Sequence, residues 1–243
     1  MPELPEVETI RRQLSKKIIG KKLEGREITK VRRRAKVLMI DFNDSTSLIF
    51  HLMLTGQLIF NGKPSKYTRK VFNFDDGSKL IFNDARRFGW WKKVKNTKEI
   101  EKSFGPEALD ISLVMFKNIL GERPNAKIKP LLMDQKFIAG IGNIYSDEIL
   151  FASRVNPLRR VKTLSGKDIG KIFQNIKKIL KAAIKQGGSS VKDYLDAHGK
   201  RGNYVKYHRV YQKQKCPVCG TGIKKVKIGG RSAHFCPICQ SAD

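Results

Sequence analysis

The sequence predicts an α+β chain in three parts: a β-rich N-terminal part led by a helix, a helical middle, and a C-terminal β-hairpin finger. Three observations predict it. Short apolar runs separated by turn residues fill residues 22–95. From Ser112 to Gln186 the apolar spacing becomes helical. The four cysteines, Cys216, Cys219, Cys236 and Cys239, form two Cys-x-x-Cys pairs near the end. The composition shifts place the parts at residues 1–108, 109–210 and 211–243.

The chain opens Met1-Pro2-Glu3-Leu4-Pro5-Glu6. An early proline with acidic residues in the first turn is a helix start. Val7, Ile10 and Leu14 continue it as one apolar face. The same residues admit a chemical reading. If Met1 is removed, Pro2 becomes an N-terminal secondary amine. An α-amino group has a reference pKa of about 7.7–8.0, so roughly a tenth of it is neutral and nucleophilic at pH 7. Attack on a sugar carbon gives an iminium, and Glu3 and Glu6 stand beside it to move protons.

Strands are expected at residues 36–42, 47–52, 57–60, 71–74 and 79–82. Asp75-Asp76-Gly77 makes a hairpin of the last two. Many short strands with turns between them point to a sandwich or a barrel. In the middle part, Lys129–Gln135 reads as a helix, Ala139-Gly140-Ile141-Gly142-Asn143 as a break, and Ile144–Ala152 as a second helix. Glycines there permit close backbone approach, and a helix start can hold a phosphate. Ile169, Ile172, Phe173, Ile176, Ile179, Leu180 and Ala183 form one long amphipathic stripe, which Gly187-Gly188 ends.

The cysteine pairs are 16 residues apart, a spacing suited to one tetrahedral four-thiolate zinc site. The alternative is two disulfides. A closed thiolate shell leaves no position for substrate, so this zinc is expected to be structural. Between the pairs, Lys224, Lys225, Lys227, Gly229, Gly230, Arg231 and Ser232 make a basic tip suited to a phosphate.

Charge narrows the partner. There are 50 Lys+Arg against 22 Asp+Glu, a net charge of +28, which favours a polyanion, nucleic acid first and an anionic membrane second. No run of 18 apolar residues is visible, so no transmembrane helix is expected, and no secretory signal is visible; with nucleic acid the favoured partner over a membrane, a cytoplasmic location associated with the nucleoid is expected.

Taken in order, these pieces resemble the formamidopyrimidine-DNA glycosylase family. The resemblance runs over nearly the whole chain. It rests on Pro2–Thr9, Arg33-Arg34-Ala35-Lys36, His51-Leu52-Met53-Leu54-Thr55-Gly56, Asp84-Ala85-Arg86-Arg87-Phe88-Gly89, Gly140-Ile141-Gly142-Asn143-Ile144-Tyr145 and the cysteine hairpin with Arg231. The endonuclease VIII branch, which acts on oxidised pyrimidines, usually has glycine where this chain has Leu4.

The resemblance implies an N-terminal β-sandwich, a helix-two-turns-helix domain and a zinc finger holding one structural Zn2+. It implies a monomeric glycosylase and abasic-site lyase acting on duplex DNA that contains oxidised purines or abasic sites. Pro2 would be the nucleophile, Glu3 the proton carrier, Glu6 a supporting carboxylate, and Lys36 a phosphate contact beside the lesion. Leu54, Arg86 and Phe88 would fill the gap left by the everted base. Asn143 and Arg231 would hold backbone phosphates.

Two departures carry expectations. Leu54 stands where the family usually has methionine, and leucine still fills a void. The segment before Lys36 is shorter than usual, which should remove a strand or loop and open one sheet edge. The stretch from Leu195 to Lys206 matches the loop that closes over an everted purine. A non-catalytic DNA binder of the same fold needs none of Pro2, Glu3, Glu6 and Lys36. A zinc-ribbon RNA-associated protein leaves the N-terminal motif unexplained.

Overall fold

The computed structural model describes residues 1–241. The order is α1 (Leu4–Ile18), β1 (Lys22–Leu23), β2 (Arg26–Arg34), β3 (Val37–Phe42), β4 (Ser47–His51), β5 (Gly56–Phe60), β6 (Thr68–Asn73), β7 (Lys79–Asp84) and β8 (Trp90–Val94). Then come α2 (Lys98–Lys102), α3 (Leu113–Gly121), α4 (Ile128–Met133), α5 (Asn143–Ser153), α6 (Gly166–Lys185), β9 (Lys224–Ile228) and β10 (Arg231–Phe235).

Strands β1-β2-β3-β4-β8 form one antiparallel sheet and β5-β7-β6 another. Their inner faces meet as a sandwich: Phe50 of β4 packs edge-on against Phe72 of β6 and Phe82 of β7, at 5.5 and 6.0 Å between ring centres. Val7, Ile10 and Leu14 of α1 close the same core with Leu38, Ile40 and Leu58. The β-rich character and the hairpin at Asp75–Gly77 stand as expected, and the open choice resolves to a sandwich.

Strand β2 escaped the sequence reading for a physical reason. Its register shifts between Ile28 and Lys30, so Ile28 and Val31, three residues apart, both point inward. The period-two signature is broken by the bulge. β8, Trp-Trp-Lys-Lys-Val, was missed because it shows no alternation and is largely exposed. β1 pairs only Lys22 and Leu23, with Glu27 and Arg26. Beyond those residues β2 has no outer neighbour among the described residues. Lys30, Arg32, Arg33 and Arg34 line this edge, and charge discourages further strand pairing there.

The chain divides into two compact units. One holds Met1–Ser103 and Ala183–Val205; the other holds Phe104–Ala182 and the chain from Lys206 onward. This differs from the three segments read in sequence. Residues 183–205 join the first unit because hydrogen bonds tie them there: Ser189 N–H to Glu6, Phe60 N–H to the Ala197 carbonyl, and Gln13 to Asp196. The finger shares the second unit with the helices.

Helix α4 ends at Met133, two residues short of the expected Gln135. Asp134 leaves the helical conformation and its carboxylate accepts from Lys136 N–H, which starts the turn.

Candidate active site and metal centre

Pro2 is buried and stands just ahead of α1, with Glu3 at the N-cap. Glu3 N–H donates to Glu6 Oε2 at 2.7 Å, so the helix start and the carboxylate pair are one structure. Glu6 is 1% exposed, and its other oxygen, Oε1, accepts from Ser189 N–H at 2.7 Å. Tyr194 adds a hydrogen bond from its hydroxyl to the Glu6 carbonyl at 3.3 Å. Burial, with the Glu6 and Asp196 charges, holds the Tyr194 phenol well above its ordinary pKa, so it remains a donor. Glu6 thus joins α1 to the segment after α6. Gly188 lies against it with φ +84°, and a Cβ there would sit 2.8 Å from Glu6 Oε1.

The loop that follows is also tied to α1. Gln13 donates to Asp196 Oδ2 at 2.8 Å and accepts from Ala197 N–H at 2.9 Å. Asp196 Oδ1 accepts from His198 and Lys200 N–H, closing the turn.

Lys36 sits in the tight turn between β2 and β3. Ala35 before it is in the left-handed region at φ 53°, and the Arg33 guanidinium holds the Ala35 carbonyl at 2.8 Å. Lys36 is buried, and its charge acts on His51, which pairs with Val37 across β3–β4. Sequence reading assigned His51 no role. Burial first, and the Lys36 charge second, push its pKa down to about 4, so it is neutral at pH 7. His51 Nδ1 accepts from Met53 N–H at 3.1 Å, which leaves the proton on Nε2. Trp90 stacks on the ring. The Lys36 charge therefore lies within electrostatic reach of a neutral His51 imidazole.

Leu54 lies on the loop between β4 and β5, and Arg86 and Phe88 on the loop between β7 and β8. Phe88 is 51% exposed, and the Arg86 guanidinium stands 5.1 Å from its ring centre. An exposed aromatic under a cation is a suitable wedge for a base stack.

In the second unit Asn143 is the first residue of α5 and Arg231 the first of β10. The turn before α5 is fixed by Gln135, a residue the sequence reading overlooked. Its side chain donates to the Met133 and Ile141 carbonyls and accepts from Gly140 N–H, at 2.8, 2.8 and 2.9 Å. Asp147 of α5 then locks the finger onto the helices. It accepts from Lys129 Nζ at 2.5 Å and from His234 N–H at 3.1 Å, and Lys129 also reaches the Ser232 carbonyl at 2.7 Å. Glu148 accepts three N–H groups, from Arg209, Val210 and Tyr211, despite burial that pushes its carboxyl pKa up. Asn143 and Arg231 thus belong to one braced body.

The four cysteine sulfurs lie within 4.8 Å of one another. Neighbouring pairs are 3.4 to 3.8 Å apart, far beyond a disulfide's roughly 2.05 Å. A ZnS4 tetrahedron with Zn–S near 2.3 Å has edges of about 3.8 Å, so the set fits zinc. Val218 and Cys239 N–H groups donate to Cys216 and Cys236 sulfur, a partner shell suited to thiolates. The disulfide alternative is set aside.

Comparison with known proteins agrees with this geometry. Residues 19–91 match the family model "Formamidopyrimidine-DNA glycosylase N-terminal domain", 104–194 the "Formamidopyrimidine-DNA glycosylase H2TH domain", and 213–242 the "Zinc finger found in FPG and IleRS". A formamidopyrimidine-DNA glycosylase of Pelotomaculum thermopropionicum is 38% identical over 274 aligned positions, covering 99% of each chain. Since this chain has 243 residues, at least 31 of those positions (274 less 243) hold none of its residues. The Lactococcus lactis Fpg bound to abasic-site DNA superposes with TM-score 0.90, at 33% identity over 98% of this chain and 99% of that one. The same protein bound to N7-benzyl-Fapy-dG DNA gives 0.90 and 34% over 99% and 100%. The chain belongs to the formamidopyrimidine-DNA glycosylase family. No helix among the described residues is long and apolar enough to cross a membrane.

Proposed function

We propose that the chain is a bifunctional DNA glycosylase and abasic-site lyase that removes oxidised purines from duplex DNA in the bacterial cytoplasm. The observation that carries this reading is the Pro2-Glu3-Glu6 cluster, in which Glu6 binds the Glu3 backbone and Ser189 together. A helix start has no need of a buried carboxylate bridging two distant segments.

Once Met1 is removed, the Pro2 nitrogen attacks C1′ of the damaged nucleotide. The C1′–N bond to the base breaks and the base leaves with a proton. Glu3 delivers a proton to the ring oxygen as the sugar opens, and the nitrogen lone pair forms the iminium. The iminium acidifies C2′, so the 3′ phosphate leaves by β-elimination and the 5′ phosphate by δ-elimination. Glu6 holds the Glu3 backbone in place. Lys36 and His51 bind the phosphate beside the lesion, and Asn143 and Arg231 bind its neighbours. Leu54, Arg86 and Phe88 occupy the space of the everted base, which costs a few kcal/mol to unstack. Zinc on Cys216, Cys219, Cys236 and Cys239 holds the hairpin that carries Arg231 and takes no part in bond making.

The test is borohydride trapping on duplexes carrying 8-oxoguanine opposite cytosine, or an abasic site, with protein confirmed to start at Pro2. A covalent adduct with both is expected, and Glu3→Gln should lose base release while still binding DNA. No adduct with either duplex would overturn the reading.

A further inference from the structure

A single buried carboxylate joins the two loops that carry Leu54, Arg86 and Phe88. Asp84, the last residue of β7, is 1% exposed. Its Oδ1 accepts from the Thr55 hydroxyl and from Arg86 N–H, the latter at 3.2 Å. Its Oδ2 accepts from Gly89 N–H at 2.6 Å. The Thr55 oxygen itself accepts from Arg86 N–H at 3.1 Å. Asp84 therefore grips one loop on both sides of Phe88 and reaches across to the residue after Leu54. Gly89 brings no side chain against this carboxylate, and a Cβ there would sit 2.9 Å from Asp84 Oδ2.

Each loop also carries a non-glycine residue in the left-handed region: Met53 at φ 47° and Arg87 at φ 59°. Such backbone persists only where its surroundings over-determine it. Around Arg87 that constraint comes from Asp84, through the N–H groups of Arg86 and Gly89. Around Met53 it comes from the His51 ring, and the Thr55 hydroxyl links the two loops.

We propose that Asp84 is a positioning residue for base eversion: with Thr55 it presents Leu54, Arg86 and Phe88 as one rigid wedge. This rests on the gap-filling reading of those three residues. A wedge ordered in the folded protein does not lose conformational entropy at the moment of insertion, whereas loose loops do. The benefit falls on substrates whose base must be unstacked, and little of it on an abasic site, which has no base to move.

The experiment compares Asp84→Asn, Thr55→Val and Thr55→Ser with the unsubstituted protein. It measures single-turnover excision of 8-oxoguanine opposite cytosine, trapping on abasic DNA, and fluorescence of 2-aminopurine beside the lesion as a report of unstacking. Asp84→Asn and Thr55→Val should each slow excision by about tenfold, the scale of one lost charge-assisted hydrogen bond. They should also blunt the fluorescence rise, with abasic trapping unchanged. Thr55→Ser, which keeps the hydroxyl, should match wild type. Equal losses on both substrates, an intact fluorescence rise in the slowed variants, or failure of serine to rescue would overturn the proposal. If Asp84→Asn does not fold, Thr55→Val and Thr55→Ser decide it alone. Phe88→Ala, run in parallel, tests the underlying reading: full excision by that variant would remove the wedge itself, whatever Asp84 does.

Discussion

Gly188→Ala is the substitution that most directly weighs the Glu6 bridge. The new Cβ would stand 2.8 Å from Glu6 Oε1 and 2.9 Å from its Cγ, closer than real Cβ contacts come. Glu6 is held by two N–H donors, on Glu3 and Ser189, so it has little room to retreat. Two costs add. Placing alanine at φ +84° costs about 1 kcal/mol. Pushing Glu6 off one donor costs about 2 kcal/mol, the scale of a hydrogen bond to a charged group. The total is about 3 kcal/mol, which for a unit of this size lowers Tm by roughly 12 °C at about 4 °C per kcal/mol. Gly20→Ala is the matched control: its φ is +83° and nothing lies within 4 Å of its Cβ, so only the backbone cost of about 1 kcal/mol applies. Thermal unfolding followed by circular dichroism should separate the two variants by about 8 °C. The Gly188 variant should also trap abasic DNA more slowly, because a Glu6 pushed off Ser189 holds the Glu3 backbone less firmly. If both variants melt together and both trap at the wild-type rate, the Glu6 bridge contributes nothing and the assignment is wrong.

Three further outcomes follow from the same geometry. His51 has its pKa lowered from 6.5 to about 4, so the unfolded chain binds its proton more readily and stability is lost as pH falls through 6.5 toward 4. Denaturant unfolding should show a loss of about 3 kcal/mol from this group over that window, and His51→Gln should flatten the curve by that amount; parallel wild-type and variant curves would contradict it. Cys216→Ser removes one of four sulfurs, so metal analysis should find less than one zinc per chain and hydrogen exchange should find β9 and β10 unprotected. Stoichiometric zinc in that variant would reject the four-thiolate site. Arg231→Ala should weaken binding to all duplex sequences alike and lower the salt slope of binding by about 0.9, one phosphate contact; an unchanged slope would take Arg231 off the phosphate list.

Some elements were legible in sequence because their signals are local. The start of α1 shows in Pro2, Glu3 and Glu6, whose capping contacts span three residues. The cysteine pairs show in their spacing, since each Cys-x-x-Cys fits a single turn. Strands β3 to β7 show in short apolar runs closed by turn residues. The bulged β2 did not, because one extra residue destroys the alternation that reveals a strand. His51 showed only as part of a motif, since its neutral state comes from burial and from Lys36, fifteen positions earlier.

What the sequence by itself determined is the inventory: a proline followed by two glutamates, a four-sulfur set, an excess of cations, and the residues that resemble a family. What only the tertiary structure decided is how those residues are held. Glu6 meets Ser189 N–H across 183 positions, Gln13 meets Ala197 N–H across 184, and Thr55 meets Arg86 N–H across 31. Short-range periodicity and capping leave a trace in neighbouring residues. A hydrogen bond between a side chain and a remote backbone N–H leaves none, because every non-proline residue supplies that donor whatever its identity.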